Sequence, residues 1–382
     1  MNLSDEFFLD LKGWSKRKLS IIEKYVGGFS NILGSRYKEI YYVDGFAGKG
    51  IYDKGEKGSP VLAAEISESM RTGGKPCTLL CINVEKDHDN YSNLCIETKR
   101  FGKYVKNYEG SFDKNIDAIL SQVKSKPTVF FIDDFGVKGT DWDAVEKVIA
   151  RKDSTDVWIR FDHKTVRRLC GFYDSDAKEA RGKLNTLQNL FGITDLDFLW
   201  TRLGCGNTSE ERIENAVNLY IEQLEKTFAK FGKDGFAAAY PIVSIDGQRK
   251  YHLVFACAHH KAATLANNIV NLIEETFQRE KEEYQENQTR QMNLFSSEVT
   301  EKHIFAEKVR QLKASTLLLP KNRPLTREDL HYELLVRYKH WFGKIGRKHL
   351  TQALKELLAE LPQKITCLGT PGKDDSVITI LE

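Results

Sequence analysis

Four acid-bearing segments follow apolar runs in this chain, and their residue types could do chemistry. Asp44-Gly45-Phe46-Ala47-Gly48-Lys49-Gly50 follows Ile40-Tyr41-Tyr42-Val43, and Glu85 ends a run over 78–84. Ser111-Phe112-Asp113 follows 104–108, and Asp133-Asp134-Phe135-Gly136 follows 128–132. Glycine lets a backbone turn tightly and pass close to a ligand. In such a loop the backbone N–H groups can bind a carboxylate, and Asp44 can accept from an ammonium. Glu85 supplies two acceptor oxygens, enough for both hydroxyls of a ribose. Phe112 could stack on a base while Asp113 accepts from its exocyclic amine. Asp133 and Phe135 set an acceptor beside an aromatic ring. Plainer readings stay open: a strand–turn at 40–50, a solvated loop acid at Glu85, a helix N-cap at Asp113 and a helix-capping turn at 133–136.

The elements that must position these residues alternate. Strands are expected at 39–44, 78–84, 104–108, 128–132 and 155–161. Helices are expected at 14–34, 59–70, 87–101, 113–124 and 141–151, the second opening on Ser59-Pro60 as N-cap and first turn. This βαβ spacing implies an α/β domain with a mostly parallel sheet. In such a sheet the strand ends form one rim, where a ligand lies. Residues 162–235 read as helical with irregular breaks. Strands near 237–244 and 251–257, joined through Asp246-Gly247, read as an antiparallel hairpin.

Three parts are expected: a domain over 1–275, a polar helix or linker over 276–300, and a smaller domain over 301–382. The last part has helices at 304–313, 327–338 and 347–360, with a capping box at Thr326-Arg327-Glu328-Asp329. Two β segments follow, at 364–367 and 376–380. Three helices and a β wing resemble a winged helix, which can bind DNA through a major-groove helix or serve as a protein-interaction module.

The chain has 382 residues, a net charge of +3 and 41% apolar residues, enough for a real core. Residues 301–382 carry a balance of +5 and the remainder −2, a weak pointer to nucleic acid at the C-terminal end. Seven scattered cysteines without C-x-x-C spacing fit buried thiols in a reducing cytosol. Cys170 and Cys205 lack an activating neighbour, so neither reads as a nucleophile. His259-His260 lacks further ligands in sequence, so no metal is expected. The N-terminus shows no signal peptide and no window is long and apolar enough for a membrane span, which together read as a cytoplasmic protein. Lys16-Arg17-Lys18 reads as a solvated helix start or as a phosphate contact.

The form D-x-F-A-G-x-G resembles the first motif of S-adenosylmethionine (SAM)-dependent methyltransferases, and is similar to that of ribosomal-RNA adenine-N6 methyltransferases. The acid precedes the glycines, unlike the dinucleotide fingerprint G-x-G-x-x-G. More specifically, the chain resembles the three-Cys-motif partner protein family over about 14–270. The resemblance rests on Trp14 and Lys18 ahead of Tyr25-Val26, the 42–50 motif, Gly58-Ser59-Pro60, Phe131-Ile132-Asp133-Asp134-Phe135-Gly136 and Tyr251-His252-Leu253-Val254-Phe255-Ala256. It implies a Rossmann-like methyltransferase domain with an antiparallel hairpin edge, SAM as cofactor and a three-Cys-motif protein as partner. SAM would be held by Asp44, Gly45, Phe46, Ala47, Gly48, Gly50, Glu85, Ser111, Phe112 and Asp113. Asp133, Asp134 and Phe135 would place the target, an exocyclic amine of adenine in RNA or DNA. The family pattern after the fourth strand is D-P-F-G, so Asp134 replaces a proline here. That departure leaves open a non-catalytic partner or scaffold.

Overall fold

A computed structural model of the protein describes residues 13–134, Gly136, Gly139, 141–172, 178–204, 208–289 and 297–381. The chain forms two compact units, Met1–His259 and His260–Glu382.

The first unit opens with α1 (Gly13–Leu33), where Leu19, Ile22, Tyr25, Val26 and Phe29 recur at helical spacing and are buried. Then alternate β1 (Glu39–Asp44), α2 (Ser59–Thr72), β2 (Thr78–Glu85), α3 (His88–Thr98), β3 (Val105–Glu109), α4 (Phe112–Val123), β4 (Thr128–Ile132), α5 (Trp142–Ala150) and β5 (Thr155–Phe161). The stretch 162–235 contains α6 (His163–Cys170), α7 (Lys178–Phe191), α8 (Leu196–Gly204) and α9 (Ser209–Lys230). A hairpin of β6 (Phe236–Val243) and β7 (Arg249–Cys257) ends the unit's strands.

Strand order is β3-β2-β1-β4-β5-β7-β6. Pairing is parallel from β3 through β5, and β7 runs antiparallel to both β5 and β6. This is a mostly parallel, Rossmann-like seven-stranded sheet with an antiparallel hairpin at one edge. The chain leaves β1 toward β2 on one side and returns to β4 on the other, so β1 and β4 frame a topological switch point.

Helices cover the sheet, so its inner strands are near-continuous apolar runs; all five residues of β4 are buried. On one face Tyr41, Val43, Ile82 and Phe130 join Ile116 and Ile119 of α4, Val145 of α5 and Tyr220 and Leu224 of α9 in one core. On the other face Tyr25 of α1 packs against Trp158 and Phe255, with ring centroids 5.2 and 5.3 Å apart. The Tyr25 hydroxyl donates to Asp156 Oδ2 at 2.8 Å.

Burial raises the Asp156 carboxyl from 3.8 to about 7, against the lowering effect of the Tyr25 hydrogen bond. A raised folded pKa means the folded chain keeps a proton that the unfolded chain has released. Stability is therefore lost as pH climbs from 3.8 through about 7. Asp156→Asn keeps an acceptor for Tyr25 and removes this cost. Its urea midpoint is expected to exceed that of the wild type at pH 8 and to match it near pH 4; equal midpoints at pH 8 would refute the assignment.

Two local expectations are corrected. The N-cap of α2 is Gly58, not Ser59, because the Ser59 hydroxyl is hydrogen-bonded to the Asp44 side chain. The N-cap of α4 is Ser111, which puts Asp113 in the first turn rather than at the cap.

The second unit contains α10 (His260–Thr289), α11 (Ser297–Thr316), β8 (Leu325–Thr326), α12 (Arg327–Arg337), α13 (Arg347–Ala359), β9 (Ile365–Leu368) and β10 (Val377–Ile380). The strands form an antiparallel sheet in the order β8-β10-β9. Thr326 caps α12, its Oγ1 accepting from the Asp329 N–H at 3.1 Å. Buried Asn267 ties α10 into this unit, donating to Ile345 O and accepting from the Gly343 N–H, both at 2.8 Å. Several charged residues of this end are paired with one another, which leaves its excess of +5 as it stands. Arg327 and Arg347 meet Asp374, Lys313 meets Glu356 and Glu360, and Arg323 meets Glu333. No described helix is long and apolar enough to cross a membrane.

Candidate functional site

The loop after β1 is fastened to both neighbouring strands. Gly45 N–H donates to Phe131 O of β4 and Ala47 N–H to Val84 O of β2, each at 2.9 Å. Gly48 N–H donates to Glu85 Oε2 at 2.7 Å. Gly48 has φ +64° and open space where a Cβ would stand, so only its backbone conformation calls for glycine. Gly50, at φ +85°, is constrained by packing as well: a Cβ there would meet Leu94 Cδ1 at 3.3 Å.

This loop walls a cavity at the switch point, together with Glu85, Ser111, Phe112, Asp133 and Asp134. Glu85 is 8% exposed. Its Oε1 accepts from the Asp87 N–H at 2.8 Å, so each carboxylate oxygen is oriented by one backbone amide. Each oxygen retains a second lone pair, and the residue lines the cavity. Phe112 is fully buried and packs 6.3 Å from the Phe46 ring, forming the cavity wall.

Three expected site residues stand elsewhere. Asp44 lies behind the loop, fully buried. Its Oδ2 accepts from the Tyr42 hydroxyl at 3.0 Å and its Oδ1 from the Phe46 N–H at 3.1 Å. Burial raises Asp44 to about 6, with Ser59, Phe46 and Tyr42 pulling it back down and the charge of Asp133 adding to the rise. Asp44 thus shapes the turn instead of lining the cavity. Gly50 packs on α3 and Asp113 is exposed on α4, neither of them on the cavity wall. Phe135 lies outside the described residues.

The strand-four end is where sequence reasoning missed most. Asp133 is buried, and its Oδ2 accepts a hydrogen bond from Lys18 Nζ of α1. Its Oδ1 stands 4.0 Å from Arg160 Nε and accepts no hydrogen bond. Asp134 turns back on its own loop. Its Oδ2 accepts from the Gly139 N–H at 2.7 Å, and its carbonyl accepts from Arg160 at 3.2 Å. Burial raises the Asp134 carboxyl, with the Gly139 hydrogen bond opposing.

Neither reading of Lys16-Arg17-Lys18 survives for its last two members. Arg17 and Lys18 are buried, Arg17 donating to Val243 O; Lys16 pairs with Glu56 at 3.0 Å. The overlooked signal was a charge on an apolar face. Lys18 sits at helical spacing with Ile22, Tyr25 and Phe29, and Arg160 interrupts an otherwise buried strand.

Cys170 lies on α6, away from this cavity, and burial raises its thiol to about 11. Cys205 lies outside the described residues. Among the described residues no group of three or more His, Cys, Asp or Glu side chains could hold a metal ion.

No family model matches the chain, and no curated protein matches it. Solved structures do. An O-methyltransferase from Bacillus cereus, in complex with S-adenosylhomocysteine (SAH), is 13% identical with a TM-score of 0.33. The match covers 62% of this chain and 80% of that one. The O-methyltransferase TomG from Streptomyces achromogenes, involved in tomaymycin synthesis and in complex with SAM, is 10% identical with a TM-score of 0.31. That match covers 62% of this chain and 78% of the other. Likenesses this distant carry no weight for reaction or substrate, and the fold assignment rests on strand order and direction.

Proposed function

We propose that the first unit binds SAM in the switch-point cavity and transfers its methyl group. The observation that carries this reading is Glu85. It is a buried carboxylate at the end of β2, held by two backbone amides and facing a glycine loop at the switch point. That donor and acceptor set suits a ribose diol beside an amino-acid moiety. In this reading the loop 45–48 faces the methionine part, Glu85 takes the ribose hydroxyls, and Ser111 and Phe112 bound the base. When bound, SAM supplies an electrophilic sulfonium methyl. Asp133 is the residue at the acceptor end, with Oδ1 as the oxygen not taken by Lys18.

The acceptor proposed is an exocyclic amine, adenine in RNA or DNA, because a carboxylate at the end of β4 on the cavity wall can accept from an N–H. In the second unit, helices α11, α12 and α13 with the three-stranded antiparallel sheet support a winged-helix reading, and with it contact to nucleic acid or protein. The chain is read as a cytoplasmic member of the three-Cys-motif partner family. Calorimetry should give saturable binding of SAH to the purified chain, and labelled methyl from SAM should reach RNA or DNA in an Asp133-dependent way. Absence of SAH binding at millimolar ligand would sink the cofactor assignment.

One observation favours a second reading, a non-catalytic partner of a three-Cys-motif protein. The backbone carbonyl of Asp134, at the position where a proline carbonyl would help clamp an amine, already accepts from Arg160 at 3.2 Å. A folded Gly48→Arg chain that retains full biological activity would favour it.

A further inference from the structure

The cavity contains an amine of its own. Lys18 reaches it from α1 and lines the same wall as Gly45, Gly48 and Glu85. Its Nζ donates to Asp133 Oδ2 and stands 5.6 Å from the centroid of the Phe131 ring. The side chain is 8% exposed and its carboxylate partner 10%. An acid at the end of β4 holding a nitrogen beside an aromatic ring is the arrangement that the proposed reaction asks of its acceptor. Here it is filled from within the chain.

A tether for α1 is the competing explanation. Burying an ion pair is a poor way to tether, since desolvating two charges offsets most of their attraction and an apolar pair does as well. The helix is also docked without it, through Tyr25, whose ring meets Trp158 and Phe255 and whose hydroxyl meets Asp156. What an apolar pair could not supply is a nitrogen against a carboxylate at the cavity wall.

From this we infer that Lys18 Nζ is itself a methyl acceptor, a self-modification site; the inference rests on the SAM reading above. Asp133 takes one proton from the Lys18 ammonium. The freed nitrogen lone pair forms a bond to the methyl carbon, the carbon–sulfur bond breaks, and its electron pair stays on sulfur, leaving SAH. The product is N-methyl-lysine, still cationic, so its pairing with Asp133 survives. The proton on Asp133 passes to solvent.

The test uses the full chain and three readouts. First, SAH binding is measured by calorimetry. Second, the chain is incubated with methyl-deuterated SAM and mapped by peptide mass spectrometry. Third, amines are labelled with formaldehyde and borohydride with and without SAH. The expected results are one deuterated methyl on Lys18, none in Lys18→Arg or Asp133→Asn, and SAH-dependent protection of Lys18 but not of Lys16. SAH binding without deuterium on Lys18 would overturn the inference and leave the cofactor reading standing. Labelling of Lys18 that ignores SAH would also overturn it, since the amine would then lie apart from the cofactor. No SAH binding would remove both.

Discussion

Lys18→Met is expected to destabilise the first unit by about 3–5 kcal/mol, because it strands the Asp133 carboxylate in a buried site. The Asp133 side chain is only 10% exposed, so solvent does little to relieve it. Arg160 lies 4.0 Å from the other oxygen and makes up part of the loss. Lys18→Met combined with Asp133→Asn removes both charges, so most of the loss should return. The measurement is a double-mutant cycle by urea unfolding, followed through a probe in the first unit. A loss in the double variant equal to the sum of the Lys18→Met and Asp133→Asn losses would mean that the pair makes no coupled contribution, and that Lys18 matters through packing of its aliphatic stem.

Glu85→Ala is expected to weaken SAH binding about 100-fold. A hydrogen bond to a charged group contributes roughly 1.5–3 kcal/mol, and two ribose hydroxyls would be lost together with the amide-oriented carboxylate. Glu85→Gln should fall between, since one oxygen remains. The loop itself loses its Gly48 contact, made at 2.7 Å. Thermal melting of the unliganded variants is therefore needed beside the calorimetry. An SAH affinity unchanged in a folded Glu85→Ala chain would place the ribose elsewhere.

The sheet was readable because its signals are local. Each parallel strand is a short β-branched and aromatic run, and turn residues separate it from the next amphipathic helix. The two-residue strand β8 was not readable, since Leu325-Thr326 becomes a strand only by pairing with β10. All four strand-end segments were placed at one cavity by strand direction alone. The roles within them were harder to read. Asp44 had the expected position and turned out to be committed to Tyr42, Ser59 and the Phe46 amide. That commitment depends on which way a side chain points, and periodicity carries no such information at a strand end. Lys18 and Arg160 needed the opposite inference. They break the apolar pattern of otherwise buried elements, and the break was the message.

The fastening of the loop after β1 has a consequence for how it exchanges hydrogen with solvent. Turns ordinarily open locally and exchange fast, because few of their amides are held. Here the amides of Gly45, Ala47 and Gly48 are bonded to β4, to β2 and to a carboxylate at the end of β2. The Gly45 and Ala47 bonds end on backbone carbonyls of β4 and β2, whereas the Gly48 bond ends on a side chain that can rotate away. The amides of Gly45 and Ala47 should therefore exchange as slowly as those of β1 itself and Gly48 faster, so this turn reports on opening of the innermost strands.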